Sequence, residues 1–283
     1  MSSQRIVITG AGGQVGRFLA AEATRQGRDV LPLTSKQCDI TDPGAAARQI
    51  GPGDVVVNCA AYTAVDAAES DEARAYAVNA VGAGNLARAC AGANARMIHI
   101  STDYVFSGRF DGPPRPYDLH DRAEPLSVYG RTKLAGERAV HDEMPDAHIV
   151  RTSWVYTGRG DDFVGAIRRR AEDDGLLEVV ADQVGSPSYV ADLARALLQL
   201  ADGDITAPLL HAANGGAASR FEQARAVFEE IGADPQRIRP VATADRPRPA
   251  RRPPYSALSG QLSAEAGLTP LRHWRDALAA ALR

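Results

Sequence analysis

This 283-residue chain predicts a doubly wound α/β fold: a parallel sheet with helices on both faces, followed by a smaller mixed α/β lobe. Three observations carry that expectation. In the first half, short apolar runs alternate with longer helical patterns, as βαβ units require. The runs are apolar almost throughout rather than at every second residue, so both faces of the sheet are covered. The first run also passes directly into glycines at 10, 13 and 16, where a helical pattern begins.

The strands are read at residues 6–9, 30–33, 55–61, 97–100 and 149–150. Helices are expected at 15–26, 42–49, 71–91 and 126–142, with Asp42-Pro43 supplying an N-cap residue before an N1 proline. Beyond about residue 155 the order loosens, with helices near 162–172, 190–200 and 220–231 and a late strand near 209–212 that joins the sheet. The expected division is residues 1–155 for the sheet domain and mainly 156–283 for the lobe. Residues 246–254, RPRPARRPP, hold too many prolines for a helix or inner strand. They form an extended loop that is either a solvated linker or, through its arginines, part of a site for a bound diphosphate.

Composition removes several functions. Lys and Arg number 32 against 35 Asp and Glu, a net charge of -3, which argues against a nucleic-acid partner. Cys38, Cys59 and Cys90 are odd in number and lack C-x-x-C spacing, which suits buried thiols in a reducing compartment. The six histidines show no ligand spacing, so no metal site is expected. No run approaches about 18 uninterrupted apolar residues and no signal-peptide pattern opens the chain, so no membrane partner and a cytoplasmic location are expected.

Two features carry chemistry. The spacing G-x-x-G-x-x-G at Gly10, Gly13 and Gly16 follows a strand and opens a helix. This is the Rossmann-like context in which glycines let backbone approach a pyrophosphate while the helix N-terminus offers N–H donors. No acid closes the second strand to hold both ribose hydroxyls. Lys36 stands instead where a 2'-phosphate would arrive, with Ser35 able to donate to it, so NADPH is expected and NADH is the alternative. The second feature is Lys133, one of only two lysines among the 32 basic residues, placed four residues after Tyr129. That spacing stacks both side chains on one helix face and makes them the leading catalytic pair.

Taken with Asn58–Thr63 (NCAAYT) and Ser101–Phe106 (STDYVF), these residues resemble the extended short-chain dehydrogenases/reductases. The stretches AVDAAES from Ala64, VYGRTKLAGE from Val128, RTSWVYTGRG from Arg151, DQVGSPS from Asp182 and ARRPPYSAL from Ala250 are similar to the dTDP-4-dehydrorhamnose reductase family over nearly the whole chain. The resemblance implies hydride transfer to C4 of dTDP-4-dehydro-L-rhamnose. Tyr129 would protonate the ketone oxygen, Lys133 would stabilise the phenolate and hold the nicotinamide ribose, and Thr102 would hydrogen-bond the carbonyl oxygen. It assigns cofactor contacts to Gly10, Gly13, Gln14, Val15, Ser35, Lys36, Asp39, Ile40, Ala60, Ala61, Tyr62 and Thr63 besides Tyr129 and Lys133. Substrate contacts fall on Val65, Thr102, Asp103, Tyr104, Tyr129 and Trp154, the last as an apolar wall.

Tyr104 follows Asp103 where related dehydratases carry a second acid, so simple reduction is favoured over dehydration. Asn79 matches a superfamily asparagine that is either structural or part of a proton relay. Asp161-Asp162, where asparagine is usual, and Arg220, where tryptophan is usual, bear on which sugar is accepted. The alternatives are a 4-ketoreductase for another dTDP-4-keto-6-deoxysugar and a non-enzymatic NADP-binding regulatory subunit. The long helices either form a homodimer or simply cover the sheet.

Overall fold

The apolar runs become strands because β-branched residues fill them and glycine or polar residues close them. Residues 4–283 are described by a computed structural model. In chain order the first half reads β1 (Ile6–Thr9), α1 (Gln14–Arg25), β2 (Val30–Leu33), α2 (Pro43–Ala47), β3 (Val55–Asn58), α3 (Val65–Ala68), α4 (Glu72–Tyr76), α5 (Ala83–Ala93), β4 (Arg96–Thr102), α6 (Val128–Glu143) and β5 (His148–Thr152). The second half adds β6 (Val155–Tyr156), α7 (Phe163–Arg170), β7 (Leu177–Val180), β8 (Val184–Gly185), β9 (Ser188–Tyr189), α8 (Val190–Asp202), β10 (Leu209–His211), β11 (Ala218–Ser219), α9 (Arg220–Glu230), β12 (Ile238–Val241), α10 (Gln261–Glu265) and α11 (Trp274–Leu282).

Six parallel strands form the main sheet in the order β10-β5-β4-β3-β1-β2. The chain winds outward in opposite directions from β1, so the crevice for a ligand opens at the carboxyl ends of β1 and β3. One face is packed by α1 and α8, with Leu19, Leu193 and Leu197 against Ile6, Ile8 and Val57. The other is covered by α2, α5 and α6, with Leu86 and Val140 against Val7, Val56 and Met97. Helix α8 thus belongs to the sheet's covering layer, although in sequence it lies among elements of the lobe. It precedes β10, which pairs with β5 at the sheet edge. The lobe is built from three two-stranded pairs, β6 with β9, β7 with β12 and β8 with β11. Its core joins Tyr156, Val164, Ile167, Phe228, Ile238, Trp274 and Leu278.

Several expectations shift. The third strand, expected to reach residue 61, ends at Asn58, whose side-chain oxygen accepts the Ala60 N–H at 3.0 Å and turns the chain out of the sheet. The helix expected at 71–91 contains a wider π segment, Ala77–Gly82, between α4 and α5. Such bulges often mark functional sites, and this one carries Asn79 inward. Its amide accepts the Tyr62 N–H at 2.8 Å and donates to Tyr62 O at 3.1 Å and Thr132 Oγ1 at 3.0 Å. Of the two roles open to Asn79, these bonds fill the structural one. The two-residue strands, β7, β12, α3, α10 and α11 have no counterpart in the sequence expectation, because elements so short or so Ala-rich leave little periodic signal.

Candidate active site

The site begins with local backbone. Gly10 lies at φ +66°, and a Cβ there would fall 2.5 Å from the Ala60 nitrogen, so only glycine lets the first turn lie against the end of β3. Gly13 occupies the N-cap of α1 with no side-chain cap, which leaves the first-turn N–H groups facing the crevice. On the opposite wall α6 is started by Ser127, whose hydroxyl accepts the Gly130 N–H, and by Glu69, which accepts the Val128 N–H at 2.8 Å. A Cβ on Gly130 would lie 2.2 Å from the Tyr104 carbonyl oxygen. The glycine therefore lets α6 close on the segment after β4 and brings Tyr129 edge-on to Tyr104, with ring centroids 5.9 Å apart.

These elements enclose a cavity of about 330 Å³ at the carboxyl end of the sheet. Gly13, Gln14, Val15, Ala60, Ala61 and Thr63 line one side, and Thr102, Asp103, Tyr129, Lys133 and Trp154 the other. A larger cleft of about 1000 Å³ continues between sheet and lobe, lined by Val65, Tyr104 and Arg220 with Arg246, Arg248 and Arg252. The proline-rich segment is thus no free linker. Asp66 anchors it through Arg252 at 2.6 and 2.9 Å and through the Ala250 N–H at 3.2 Å, while Arg246 pairs with Glu178.

The remaining expected residues lie farther out. Ser35, Lys36 and Asp39 are exposed on the turn after β2, and the Asp39 carboxylate accepts the Thr41 N–H and hydroxyl. The Ile40 side chain is core, 3 % exposed, which leaves only its backbone to meet a ligand. Gly10 acts through the turn and Tyr62 through its backbone, held by Asn79. Trp154 adopts φ +45°, unusual for a bulky residue, and its ring is covered by the Arg220 guanidinium at 3.5 Å. Arg220 also lies over Phe163 at 4.7 Å. Asp162 brings no free charge to the lobe: it caps α7 by accepting the Gly165 N–H and binds Thr157.

Electrostatics separate the titratable groups. Burial pushes the Tyr129 phenol above the usual tyrosine range, opposed by a hydrogen bond with Thr102, so its proton is held at neutral pH. Burial brings the Lys133 ammonium down to about 8, opposed by the negative charge of Glu137, while the Cys59 thiol beside it is itself pushed up to about 12 by burial and stays neutral. Lys133 Nζ donates to the Ile100 carbonyl at 2.7 Å and lies 3.4 Å from His99 Nε2. Asn58, Cys59, His99 and Ser101 are the residues here to which the sequence assigned no role in the site, Ser101 although it opens the STDYVF run. Asn58 and Cys59 fall inside the NCAAYT run, whereas nothing in the sequence marks His99.

Asp103 is 2 % exposed and accepts the Ser256 hydroxyl at 2.5 Å and the Thr102 hydroxyl at 3.2 Å. Burial pushes its carboxyl up from 3.8 to about 6, opposed by hydrogen bonds from Ser256, Ser153 and Thr102. The folded state therefore binds this proton more tightly than the unfolded chain. The resulting stability cost is absent below the unfolded value and fully present above about 6. Asp103→Asn removes it, so the variant is expected to gain up to about 3 kcal/mol relative to the parent between pH 4 and pH 8. Urea unfolding at both pH values checks this, and an equal offset at the two would refute the assignment.

Comparison with known proteins agrees with this geometry. The profile of the RmlD substrate binding domain matches residues 4–283. The dTDP-4-dehydrorhamnose reductase of Mycobacterium tuberculosis is 64% identical over 282 residues, 99% of this chain and 93% of that one. The dTDP-4-keto-6-deoxy-D-glucose reductase of Streptomyces niveus is 38% identical, covering 98% of this chain and 96% of its own. Among solved structures, the dTDP-4-dehydrorhamnose reductase of Bacillus anthracis in complex with NADP superposes with a TM-score of 0.90 at 36% identity, over 98% of this chain and 97% of that one. A likeness that runs from residue 4 to the last residue, at identities far above the level where only folds agree, places this chain in the dTDP-4-dehydrorhamnose reductase family.

Proposed function

We propose that this chain is an NADPH-dependent oxidoreductase that reduces the C4 ketone of dTDP-4-dehydro-L-rhamnose to dTDP-L-rhamnose, with Tyr129 as proton donor. The observation that carries this reading is the convergence of Thr102, Tyr129 and Lys133 on one wall of a cavity whose opposite wall is the glycine turn. The residues fit a dinucleotide. Gly10, Gly13, Gln14 and Val15 leave room and N–H donors for the pyrophosphate, Ala60, Ala61, Tyr62 and Thr63 border the ribose, and Ser35 and Lys36 stand exposed for a 2'-phosphate, with Asp39 and the Ile40 backbone beside the adenine. NADH would lose only the last of these phosphate contacts. When bound, the cofactor supplies hydride.

The chain's own groups do the rest. Tyr129 orients the ketone oxygen together with Thr102, whose one hydroxyl proton turns from Asp103 to that oxygen, Tyr129 holds the proton that this oxygen takes up, and Trp154 walls the sugar on its apolar side. Asp103, Val65 and Tyr104 lead from the cavity to the larger cleft, where Arg252, Arg248 and Arg220 match the charge of a nucleoside diphosphate. We further propose that residues 1–155 with β10 and α8 act as the cofactor domain and that the rest of 156–283 holds the nucleotide sugar.

A second reading, a 4-ketoreductase for another dTDP-4-keto-6-deoxysugar, is supported by the guanidinium of Arg220 on Trp154, which changes the wall nearest the sugar. Loss of NADPH absorbance with enzymatically prepared dTDP-4-dehydro-L-rhamnose, with NADH in parallel and NMR of the product, tests the choice. Turnover to dTDP-L-rhamnose is expected. NADPH binding without turnover on this substrate sinks the first reading.

A further inference from the structure

Behind Lys133, between β3, β4 and α6, lies a line of buried polar contacts that the proposed reduction leaves unused. Asn58 is opposite both Thr9 and His99 in the sheet register. Its side-chain oxygen accepts the Thr9 hydroxyl at 2.8 Å and the Ala60 N–H at 3.0 Å. Those two donors fix the amide's orientation, so the atom 3.0 Å from His99 Nδ1 is the Asn58 nitrogen, Nδ2. An amide nitrogen can only donate. His99 Nδ1 is therefore the acceptor, and the neutral ring carries its one proton on Nε2.

That Nε2–H faces Lys133 Nζ, 3.4 Å away, in a place where His99 is 1 % and Lys133 2 % exposed. An ammonium at Nζ meets it donor against donor. A neutral amine meets it correctly, because the nitrogen lone pair accepts the Nε2–H while one amine proton still binds the Ile100 carbonyl. The other titratable and charged groups around Nζ are Glu137 on α6 and Cys59 after β3, with Arg151 of β5 paired to Glu137 at 2.7 Å, and Tyr129 lines the same cavity. Glu137 favours the ammonium, and the Cys59 thiol is neutral in this range. Burial and the His99 N–H favour the amine, and His99 itself is kept neutral by burial and by the charge of Lys133.

We propose that His99, its tautomer set by Asn58, is a positioning residue that makes Lys133 a proton donor to the Tyr129 phenolate. The sequence of proton moves balances. The Tyr129 O–H gives its proton to the alkoxide oxygen of the reduced sugar, a proton released by Lys133 then rebuilds the phenol by way of the cavity that both residues line, and the freed lone pair on Nζ takes the hydrogen bond from His99 Nε2–H. Solvent finally returns a proton to the amine. This rests on the reductase reading, but its first test does not.

In ¹⁵N NMR of the uniformly labelled protein without substrate, His99 is expected as the Nε2–H tautomer across neutral pH. The Nδ1–H tautomer or an imidazolium overturns the proposal, whatever the substrate proves to be. Two variants carry the second test. In Asn58→Asp the carboxylate still accepts from Thr9 and Ala60 but now takes Nδ1–H, which turns Nε2 into an acceptor for the ammonium. In His99→Phe the ring remains and the N–H is gone. In both, the alkaline limb of the kcat profile is expected to move up by about one pH unit, with kcat at neutral pH lowered roughly tenfold and KM unchanged. A purely structural role would lower stability or raise KM and leave that limb in place, and an unmoved limb in both variants refutes the proposal. If the sugar substrate is not turned over at all, the reductase reading fails while the NMR result still decides the tautomer.

Discussion

Tyr129→Phe is expected to lower kcat for the keto-sugar about 10²- to 10⁴-fold, the usual worth of a positioned general acid, while leaving NADPH affinity close to that of the parent. The phenol keeps its proton at neutral pH because burial raises it, and the Thr102 hydroxyl beside it limits how far. The substitution removes one O–H. The ring retains its edge-on contact with Tyr104 and its packing against Ala68, Ala75 and Val128. Fold and cofactor site should therefore survive, which makes kcat the quantity that moves. Steady-state rates together with NADPH fluorescence titration separate the two effects. A variant that turns over within a few-fold of the parent would show that the proton comes from elsewhere.

Glu137→Gln should have the largest effect on stability, a loss of about 3–5 kcal/mol, the usual cost of breaking a buried ion pair by removing one partner. Glu137 lies one helical turn beyond Lys133 and accepts Arg151 Nε at 2.9 Å, Arg151 Nη2 at 2.7 Å and the Ser101 hydroxyl at 2.5 Å. Both side chains of the ion pair are 6 % exposed. These bonds tie α6 to β4 and β5 directly behind the catalytic wall. A neutral amide cannot match the guanidinium fork, and Arg151 Nη1 already lacks a hydrogen-bond partner among the described residues. The stranded charge has nowhere to go, although the Phe106 ring lies 5.1 Å beneath it. Urea unfolding at neutral pH would read the loss as a lowered midpoint, and a change under about 1 kcal/mol would mean that the pair contributes little here. Because Glu137 also favours the Lys133 ammonium, the residual enzyme should show its alkaline limb at lower pH.

Other parts of the molecule divide by the range over which their causes act. Residues 6–9 and 30–33 read as strands in the sequence and are strands, since a run of four apolar residues between turn signals is decided locally. The Tyr129–Lys133 spacing is likewise a property of one helix. The expected helix at 71–91 is broken by its π segment because Asn79 must reach Tyr62 and Thr132, partners 17 and 53 residues away. Asp162 looked like added negative charge and is a helix cap, bonded to Thr157 and Gly165 in a turn whose shape no spacing rule specifies.

The sequence by itself determined the βαβ order, the glycine turn, the free cysteines and the four-residue step from Tyr129 to Lys133, and motifs strung along the chain identified the family. Only the tertiary structure decided what stands behind and across from those residues. His99 meets Lys133 across 34 positions, Asp66 anchors Arg252 across 186, and Arg220 covers Trp154 from the lobe. The physical reason is that helix and strand periods act over a few residues, whereas a hydrogen bond between distant segments depends on how strands register and helices pack. The tautomer of His99 follows from that register and from two bonds to Asn58, and from nothing in its own neighbourhood of the chain.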